Sequence, residues 1–130
     1  MLYMEISVKT SKKEELIDIT HRIGELVSIS DGLCIVYCPH TTAGLTINEG
    51  ADPDVRVDII AALERLVPDN VSYKHVEGNS PAHIKASLIG NSLNVLVEDG
   101  ELKLGTWQSI YLCEFDGPKN RKVFVKFIKF

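Results

Sequence analysis

The fold is decided by residues 92–130, which read SLNVLVEDGELKLGTWQSIYLCEFDGPKNRKVFVKFIKF. Three segments in this stretch, rich in β-branched and aromatic residues, predict strands at Ser92–Val97, Trp107–Phe115 and Lys122–Phe130. Two groups of turn-forming residues separate them, Glu98-Asp99-Gly100 and Asp116-Gly117-Pro118. Because strands joined by short turns pair antiparallel, this part of the chain predicts an antiparallel sheet.

The residues before this stretch predict further strands. Apolar and polar residues alternate from Leu2 to Val8, the period expected of a strand with one face on a core. Leu33–Cys38 is apolar on both faces, which predicts a central strand buried on each side and running directly into Pro39 and His40. A shorter strand is predicted around Thr46–Glu49.

Helices are predicted between these strands. Ser11 and Glu14 form a capping-box pattern, and helical spacing then continues for about four turns through Leu16, Ile19, Ile23 and Leu26. Asp52 and Pro53 predict the start of a second helix. Its apolar stripe is formed by Val55, Ile59, Leu63 and Leu66.

A third, short helix is predicted to begin at Asn79 or Ser80, before Pro81, and to end at Gly90. One side of this helix is formed by Ala82, Ala86 and Ile89. Together the elements predict an α+β fold, a largely antiparallel β-sandwich or sheet with two main helices and one short one. Residues 1–130 are expected to form a single domain.

Composition narrows the classes of function. The 130 residues are 45% hydrophobic and 25% charged, with a net charge of -4, which argues against a nucleic-acid partner. No apolar run approaches the roughly 20 residues that span a bilayer, and no secretory signal pattern opens the chain. Three cysteines without a close Cys-x-x-Cys spacing indicate reduced, mostly buried thiols. A cytoplasmic protein without a membrane partner is therefore expected.

Chemistry is predicted where histidines cluster. Three of the four histidines fall in two polar segments, Cys38–Thr42 and His75–His83. Histidine titrates near neutral pH and is the commonest metal ligand, so these segments are candidate sites. For His40 the alternative is a ring that is hydrogen-bonded to nearby backbone.

Polar residues downstream of His40 are further candidates for the site. Asn48, Glu49 and Asp52 lie close together, and Glu49 is favoured for chemistry because Asp52 already has a role as a helix cap. Near Ser80 a helix start would present unpaired N–H groups to a phosphate or carboxylate.

Further side chains flank that helix start. His83 and Lys85 would add positive charge, and His75 and Glu77 would approach from the other side. The alternative is that Asn79-Ser80-Pro81 is only a cap. Farther along, Trp107 is predicted to lie in the core and Gln108, on the opposite strand face, to contact a ligand.

A metal site at His40, His75 and His83 is a further alternative, since histidine-rich sites suit Zn²⁺ and similar ions. The spacing matches no compact ligand signature: 35 residues separate His40 from His75, and eight separate His75 from His83. The chain has no Gly-x-Ser-x-Gly elbow, phosphate-binding loop or dinucleotide glycine loop.

Five motifs, in order, resemble the YjbQ-like family over nearly the whole chain. They are His40-Thr41-Thr42-Ala43-Gly44, Asn48-Glu49 with Asp52-Pro53, His75-x-Glu77-Gly78, Pro81-Ala82-His83-x-Lys85, and Gly100 with Gly105-Thr106-Trp107-Gln108. The resemblance implies a homotrimer of antiparallel β-sandwich subunits, with a pocket that a neighbouring subunit completes.

The resemblance also implies a secondary thiamine-phosphate synthase activity. In this reaction hydroxymethylpyrimidine diphosphate and thiazole phosphate form thiamine phosphate and pyrophosphate. The helix start near Ser80, with His83, Lys85 and Mg²⁺, would stabilise the departing pyrophosphate. His40 or His75 would move protons, and Glu49 would stabilise a developing pyrimidine cation.

The expected catalytic residues are therefore His40, Glu49, His75 and His83. Substrate binding is expected from Thr41, Asn48, Asn79, Ser80, Lys85 and Gln108. The candidate cofactors are Mg²⁺ and Zn²⁺, and the expected partner is a phosphorylated small molecule. Two alternatives stay open, a metal-dependent hydrolase of a phosphorylated metabolite and a non-catalytic module that binds one.

Overall fold

The computed structural model describes residues 2–130. In chain order the elements are β1 (Met4–Lys9), β2 (Glu15–Asp18), α1 (Thr20–Gly24), β3 (Gly32–Tyr37), β4 (Ala43–Glu49), α2 (Pro53–Leu66), α3 (Ser80–Ile89), β5 (Ser92–Glu98), β6 (Glu101–Leu102), β7 (Gln108–Glu114) and β8 (Asn120–Lys129). These elements confirm the predicted α+β class.

The strands form two antiparallel sheets. The larger has the order β1-β8-β3-β5-β6, and the smaller has the order β2-β7-β4. In the larger sheet Val36 of β3 lies opposite Val125 of β8 and Leu93 of β5, so β3 is central as predicted. In the smaller sheet β4 pairs with β7 along its whole length, from Ala43 opposite Glu114 to Glu49 opposite Gln108.

Apolar side chains fill the space between the two sheets. Cys34 and Val36 of the larger sheet and Leu45, Ile110 and Leu112 of the smaller one are buried there. A second cluster lies on the other side of the smaller sheet, where Leu63 of α2 and Ala82 and Ala86 of α3 pack around Tyr111 and Cys113. The molecule is therefore a β-sandwich with a layer of helices on one side.

The helix predicted from Leu16 to Leu26 is wrong. Leu16 lies in β2 opposite Cys113 of β7, and only Thr20–Gly24 is helical. The pairing of Glu15–Asp18 with β7 satisfies backbone groups that a helix would have used internally. Glu15, rather than Glu14, accepts hydrogen bonds from the N–H groups of Ser11 and Lys12, at 2.7 and 2.9 Å.

The other two helices begin where predicted. The Asp52 side chain accepts a hydrogen bond from Asp54 N–H at 2.9 Å, which confirms the cap of α2. The apolar stripe of α2 ends earlier than predicted, because Leu66 is 73% exposed. The short helix is α1 with five residues, whereas α3 has ten and is one of the two main helices.

The C-terminal strands confirm the prediction from residues 92–130, with one addition and one error. The turn at Asp99 and Gly100, both with positive φ, leads into the short strand β6, which was not predicted. Trp107 was predicted to be core but is 65% exposed, because it lies outside the ladder that β7 begins at Gln108.

The cysteines meet one expectation drawn from composition. In the described part of the chain all three cysteines are unpaired and buried. Across residues 2–130 no helix has both the length and the apolar character needed to cross a bilayer.

Candidate functional site

Two of the predicted histidines line one cavity. It has a volume of about 550 Å³ and lies between the 40–43 segment and α3. The residues lining it are His40, Thr41, Ala43, His83, Ala86, Ser87, Gly90 and Asn91. His40 and His83 are 43 positions apart in the sequence, so the fold brings them together.

The backbone of a neighbouring strand orients His40. The Lys122 N–H of β8 donates to His40 Nε2 at 2.8 Å. A ring nitrogen that accepts a hydrogen bond carries no proton, so the neutral ring has its proton on Nδ1. Burial lowers the pKa of His40, and the nearby positive charge of Arg121 lowers it further. His40 is therefore a neutral ring with one N–H to donate.

A buried charged network lies behind this segment. Arg121 Nε donates to Glu114 Oε1 at 2.8 Å, and Arg121 Nη2 donates to the other carboxylate oxygen. Nη2 also donates to the hydroxyl of Thr42 at 2.9 Å. The network therefore ties the chain next to His40 and Thr41 to the ends of β7 and β8.

Glu114 is ionised in this network. Burial alone would raise the pKa of Glu114, but hydrogen bonds from Arg121, from Asp116 N–H and from Thr10 outweigh burial and hold this pKa below its usual value. The sequence prediction missed Glu114 and Arg121. Arg121 did give a signal, because it falls in phase with the inward residues Val123 and Val125 of β8.

A tight contact between β4 and the end of α3 fixes the position of the helix beside the cavity. Gly44 lies so close to α3 that a Cβ atom there would be 2.6 Å from the carbonyl oxygen of Gly90. That carbonyl accepts a hydrogen bond from Leu45 N–H at 3.0 Å, and the next one, of Asn91, accepts from Cys38 N–H at 2.8 Å. Both sheets therefore hold the end of α3 in place.

A second, smaller cavity shares His83 with the first. It has a volume of about 360 Å³ and is lined by Tyr73, Lys74, His75, Ser80, His83 and Ile84. His83 lines both cavities, and its ring meets that of His75 edge to face, with centroids 5.3 Å apart. We call the two cavities together the histidine groove, with a first lobe at His40 and a second lobe at His75.

The start of α3 offers fewer free donors than predicted. The N–H groups of Ala82 and His83 both point to the carbonyl oxygen of Asn79, at 3.0 and 3.4 Å, and Pro81 has no N–H. The Asn79 side chain donates to Asp116 at 3.0 Å. The Asn79 side chain is therefore bonded to Asp116, and its substrate-binding role stays a prediction, whereas Ser80 and His83 line the second lobe.

Lys85 lies outside the groove. Its side chain is 1% exposed, and its ammonium lies 2.7 Å from Glu14, whose side chain is 8% exposed. Helix α3 turns this residue toward the protein interior, on the side opposite to the one predicted. In this chain Lys85 anchors α3 and adds no positive charge to the histidine groove.

Glu49, Asn48 and Gln108 lie together at the far end of β4. Glu49 is six residues from Ala43, which is about 20 Å at roughly 3.3 Å per residue. Gln108 accepts a hydrogen bond from Gly105 N–H at 2.8 Å, and Glu49 accepts one from Asp52 N–H at 3.2 Å. One chain does not bring these residues to the histidine groove, and their substrate-binding and catalytic roles stay predictions.

The three histidines do not fit a resident metal site within one chain. Over residues 2–130 no three His, Cys, Asp or Glu side chains are arranged to hold a metal ion. His40 Nε2 is also occupied by Lys122 N–H.

The charge of the groove differs from that of the whole protein. The chain carries a net charge of -4, yet no carboxylate is among the residues that line either lobe. The residues of the first lobe supply hydroxyl, amide and imidazole groups, and at the second lobe the Glu77 carboxylate lies 3.9 Å from His75 Nε2. The first lobe therefore suits a polar ligand.

The fold and groove define a class of small α+β proteins, a β-sandwich with a histidine-lined groove along one helix. Comparison with known proteins identifies the family. The profile of the UPF0047 protein YjbQ-like family matches residues 4–130, and the chain belongs to that family.

Relatives cover almost the whole chain. The UPF0047 protein MJ1081 of Methanocaldococcus jannaschii is 50% identical over 98% of this chain and 94% of its own length. The UPF0047 protein YugU of Bacillus subtilis is 47% identical, over 93% and 95%.

Solved structures share the fold. The crystal structure of a YjbQ/UPF0047-family protein from Clostridium acetobutylicum matches with a TM-score of 0.94 and 58% identity, over 96% of this chain and 99% of that one. The structure of TT1486 from Thermus thermophilus matches with a TM-score of 0.92 and 42% identity, over 96% and 99%.

Proposed function

We propose that the histidine groove is the active site of an enzyme that acts on a phosphorylated small molecule in the cytoplasm. The reaction that we propose is thiamine-phosphate synthesis from hydroxymethylpyrimidine diphosphate and thiazole phosphate. The observation that carries the proposal is the meeting of His40 and His83 in one cavity whose lining contains no carboxylate.

The chemistry of this reaction matches the groups present. The ring nitrogen of thiazole phosphate uses its lone pair to form a C–N bond to the pyrimidine methylene carbon. The C–O bond to the diphosphate breaks, and pyrophosphate leaves with that electron pair. The attacking nitrogen carries no proton, so the step needs hydrogen-bond donors for the leaving group rather than a base.

The groove supplies donors of this kind. His83 lies at the junction of the lobes, where it reaches a ligand in either one. His40 donates through Nδ1–H, because its Nε2 is occupied. We therefore propose that His40 acts as an orienting donor rather than as the proton carrier that the sequence predicted.

A homotrimer is part of the proposal. The outer face of the larger sheet lacks a covering helix in the described chain, and four large apolar side chains on it are at least 40% exposed: Tyr3, Tyr37, Leu96 and Ile128. Burial of this face between subunits would remove apolar area from water. Assembly would also give Glu49, which lies outside its own chain's groove, a route to the groove of another subunit.

The test is product formation by purified protein. Wild type with both substrates and Mg²⁺ should form thiamine phosphate, and folded His40→Ala and His83→Ala variants should lose turnover. The matched control is His21→Ala, since His21 is exposed and pairs with Glu25 at 2.8 Å outside the groove. A parallel reaction with a chelator reports whether Mg²⁺ is needed.

The outcomes separate the proposal from its alternatives. Product that persists at wild-type rate in both groove variants would contradict the proposal. Saturable binding of a phosphorylated metabolite without turnover would favour a non-catalytic binding module. A hydrolase of such a metabolite would release phosphate without forming thiamine phosphate, and a chelator would stop it if it needs a metal.

A further inference from the structure

We infer that Arg121 is a positioning residue of the histidine groove, which holds the segment 40–42 in place at the first lobe without contacting the ligand. The inference rests on the proposed function, because that function gives the segment its role in ligand binding. It starts from the turn that leads from β3 to β4 and from its contacts with β8. Two consecutive residues of β8, Arg121 and Lys122, bond to the two ends of the segment.

The register of the larger sheet explains the bond to His40. Strand β3 ends at Tyr37, which lies opposite Phe124 of β8. The same register continued by two residues would place Pro39 opposite Lys122. Because the strand has ended there, Lys122 N–H donates to His40 Nε2 at 2.8 Å rather than to a main-chain carbonyl. The ring is therefore held where the ladder of β3 and β8 would have continued.

The side chain of Arg121 bonds to the other end of the segment from inside the protein. Arg121 is buried, and its Nε and Nη2 donate to the two carboxylate oxygens of Glu114. Nη2 also donates to Thr42, to the hydroxyl at 2.9 Å and to the carbonyl at 3.2 Å. Because the two bonds to Glu114 fix the plane of the guanidinium, the bonds to Thr42 have a defined direction.

Thr41 lies between these two fixed residues and lines the first lobe. On one side the His40 ring is bonded to β8, and on the other side Thr42 is bonded to it. The base of the turn is closed as well, since Cys38 Sγ donates to the carbonyl of Ala43 at 3.6 Å. A ligand that binds Thr41 therefore does not have to order this segment first, which would reduce its affinity.

Thr10 provides a matched comparison within the same network. Its hydroxyl donates to Glu114 Oε1 at 2.8 Å, and both Thr10 and Thr42 are buried. The Thr10 hydroxyl accepts from Lys119 N–H at 2.7 Å, which places it on the turn between β7 and β8. Loss of this hydroxyl should disturb the charged network without releasing the segment 40–42.

The test compares Thr42→Val with Thr10→Val, since each removes one hydroxyl that is bonded to the network. The first measurement is the ¹⁵N-histidine spectrum of the ligand-free protein. Thr42→Val should move the ring signals of His40, because the segment shifts relative to Lys122 N–H, whereas Thr10→Val should leave them in place. Thr42→Ser keeps the hydroxyl and should restore the wild-type spectrum.

The second measurement is the rate of thiamine phosphate formation. Thr42→Val should lower kcat/KM about 10-fold, the size of one hydrogen bond to a charged group, and mainly by raising KM. Thr10→Val and Thr42→Ser should stay within about twofold of wild type. Arg121→Lys keeps the charge but cannot reproduce the planar fork, so it is a second variant that should behave like Thr42→Val.

Melting temperatures identify the folded variants, and each outcome bears on the inference. Equal losses of kcat/KM in Thr42→Val and Thr10→Val would overturn it, because the network would then act through stability alone. Unmoved His40 signals in folded Thr42→Val would also overturn it. If wild type forms no thiamine phosphate, the proposed reaction fails, whereas His40 signals that move in Thr42→Val and not in Thr10→Val would still support the positioning role.

Discussion

At the scale of single residues, the surroundings of His40 fix its protonation state. Burial and Arg121 lower its pKa, and the Lys122 N–H bond requires an unprotonated Nε2. The unfolded chain, with a pKa near the usual 6.5, therefore binds a proton that the folded chain resists. The contribution of His40 to stability is fully present above this value and is lost as the pH falls through it.

This linkage predicts a difference between wild type and His40→Gln, whose amide oxygen can still accept from Lys122 N–H. Between about pH 8 and pH 5.5, wild type should lose more thermal stability than the variant, because only wild type has this histidine to protonate. Melting temperature measured across that range checks the prediction. Parallel curves for the two proteins would show that His40 titrates as it does in the unfolded chain.

The Glu114–Arg121 pair gives a second prediction at this scale. Arg121→Met would leave the buried Glu114 carboxylate without its main partner, which should reduce the free energy of unfolding by about 3–5 kcal/mol. Urea denaturation measures this loss. The exposed Lys103–Glu98 pair is the control, and Lys103→Met should change the free energy by less than about 1 kcal/mol. Similar losses in both variants would mean that the buried network contributes little.

At the scale of elements, the contact between β4 and α3 positions the groove. A Cβ atom at Gly44 would meet the Gly90 carbonyl at 2.6 Å, and backbone cannot move aside as a flexible side chain can. Gly44→Ala should therefore destabilise the protein by about 1–3 kcal/mol and reduce ligand binding in the first lobe.

The matched control is Gly24→Ala in α1, where a Cβ atom would meet nothing within 4 Å. Alanine favours a helix over glycine by up to about 1 kcal/mol, so this variant should be neutral or slightly more stable. Denaturation midpoints of both variants test the predicted stabilities. Calorimetric titrations with hydroxymethylpyrimidine test the predicted loss of ligand binding. Equal stability of the two variants would contradict the tight contact.

The success of the sequence prediction also differed between elements. The C-terminal strands were predictable because the strand-type residues and the turn residues that separate them indicate the same boundaries. Asp52-Pro53 identified the start of α2. The first helix was mispredicted because the spacing of Leu16, Ile19 and Ile23 suits a helix, while pairing of Leu16 with Cys113 overrides it. That pairing joins positions far apart in sequence, and no local period reports it.

The candidate site was predictable in its residue types but not in its grouping. His40 and His83 were candidates from sequence alone, yet their meeting depends on Gly90 and Asn91 bonding to Leu45 and Cys38. The inward orientation of the Lys85 side chain and the distance of Glu49 from the groove likewise follow from packing between elements. Periodicity within one element contains no information of that kind.

At the scale of the whole molecule, the exposed apolar face of the larger sheet predicts self-association. Light scattering should give three times the chain mass of 14.4 kDa, and Tyr37→Lys should lower it, because Tyr37 lies on that face next to Phe124 with ring centroids 6.4 Å apart. Leu66→Lys, on α2, should leave the mass unchanged. A monomeric wild type at micromolar concentration would contradict the trimer.

The central claim is that His40 and His83 belong to one ligand site, and it is tested most directly by NMR of ¹⁵N-histidine-labelled protein titrated with hydroxymethylpyrimidine diphosphate. The account predicts that both rings shift with one common midpoint, while exposed His21 does not. Shifts with separate midpoints, or of one ring alone, would contradict a shared site.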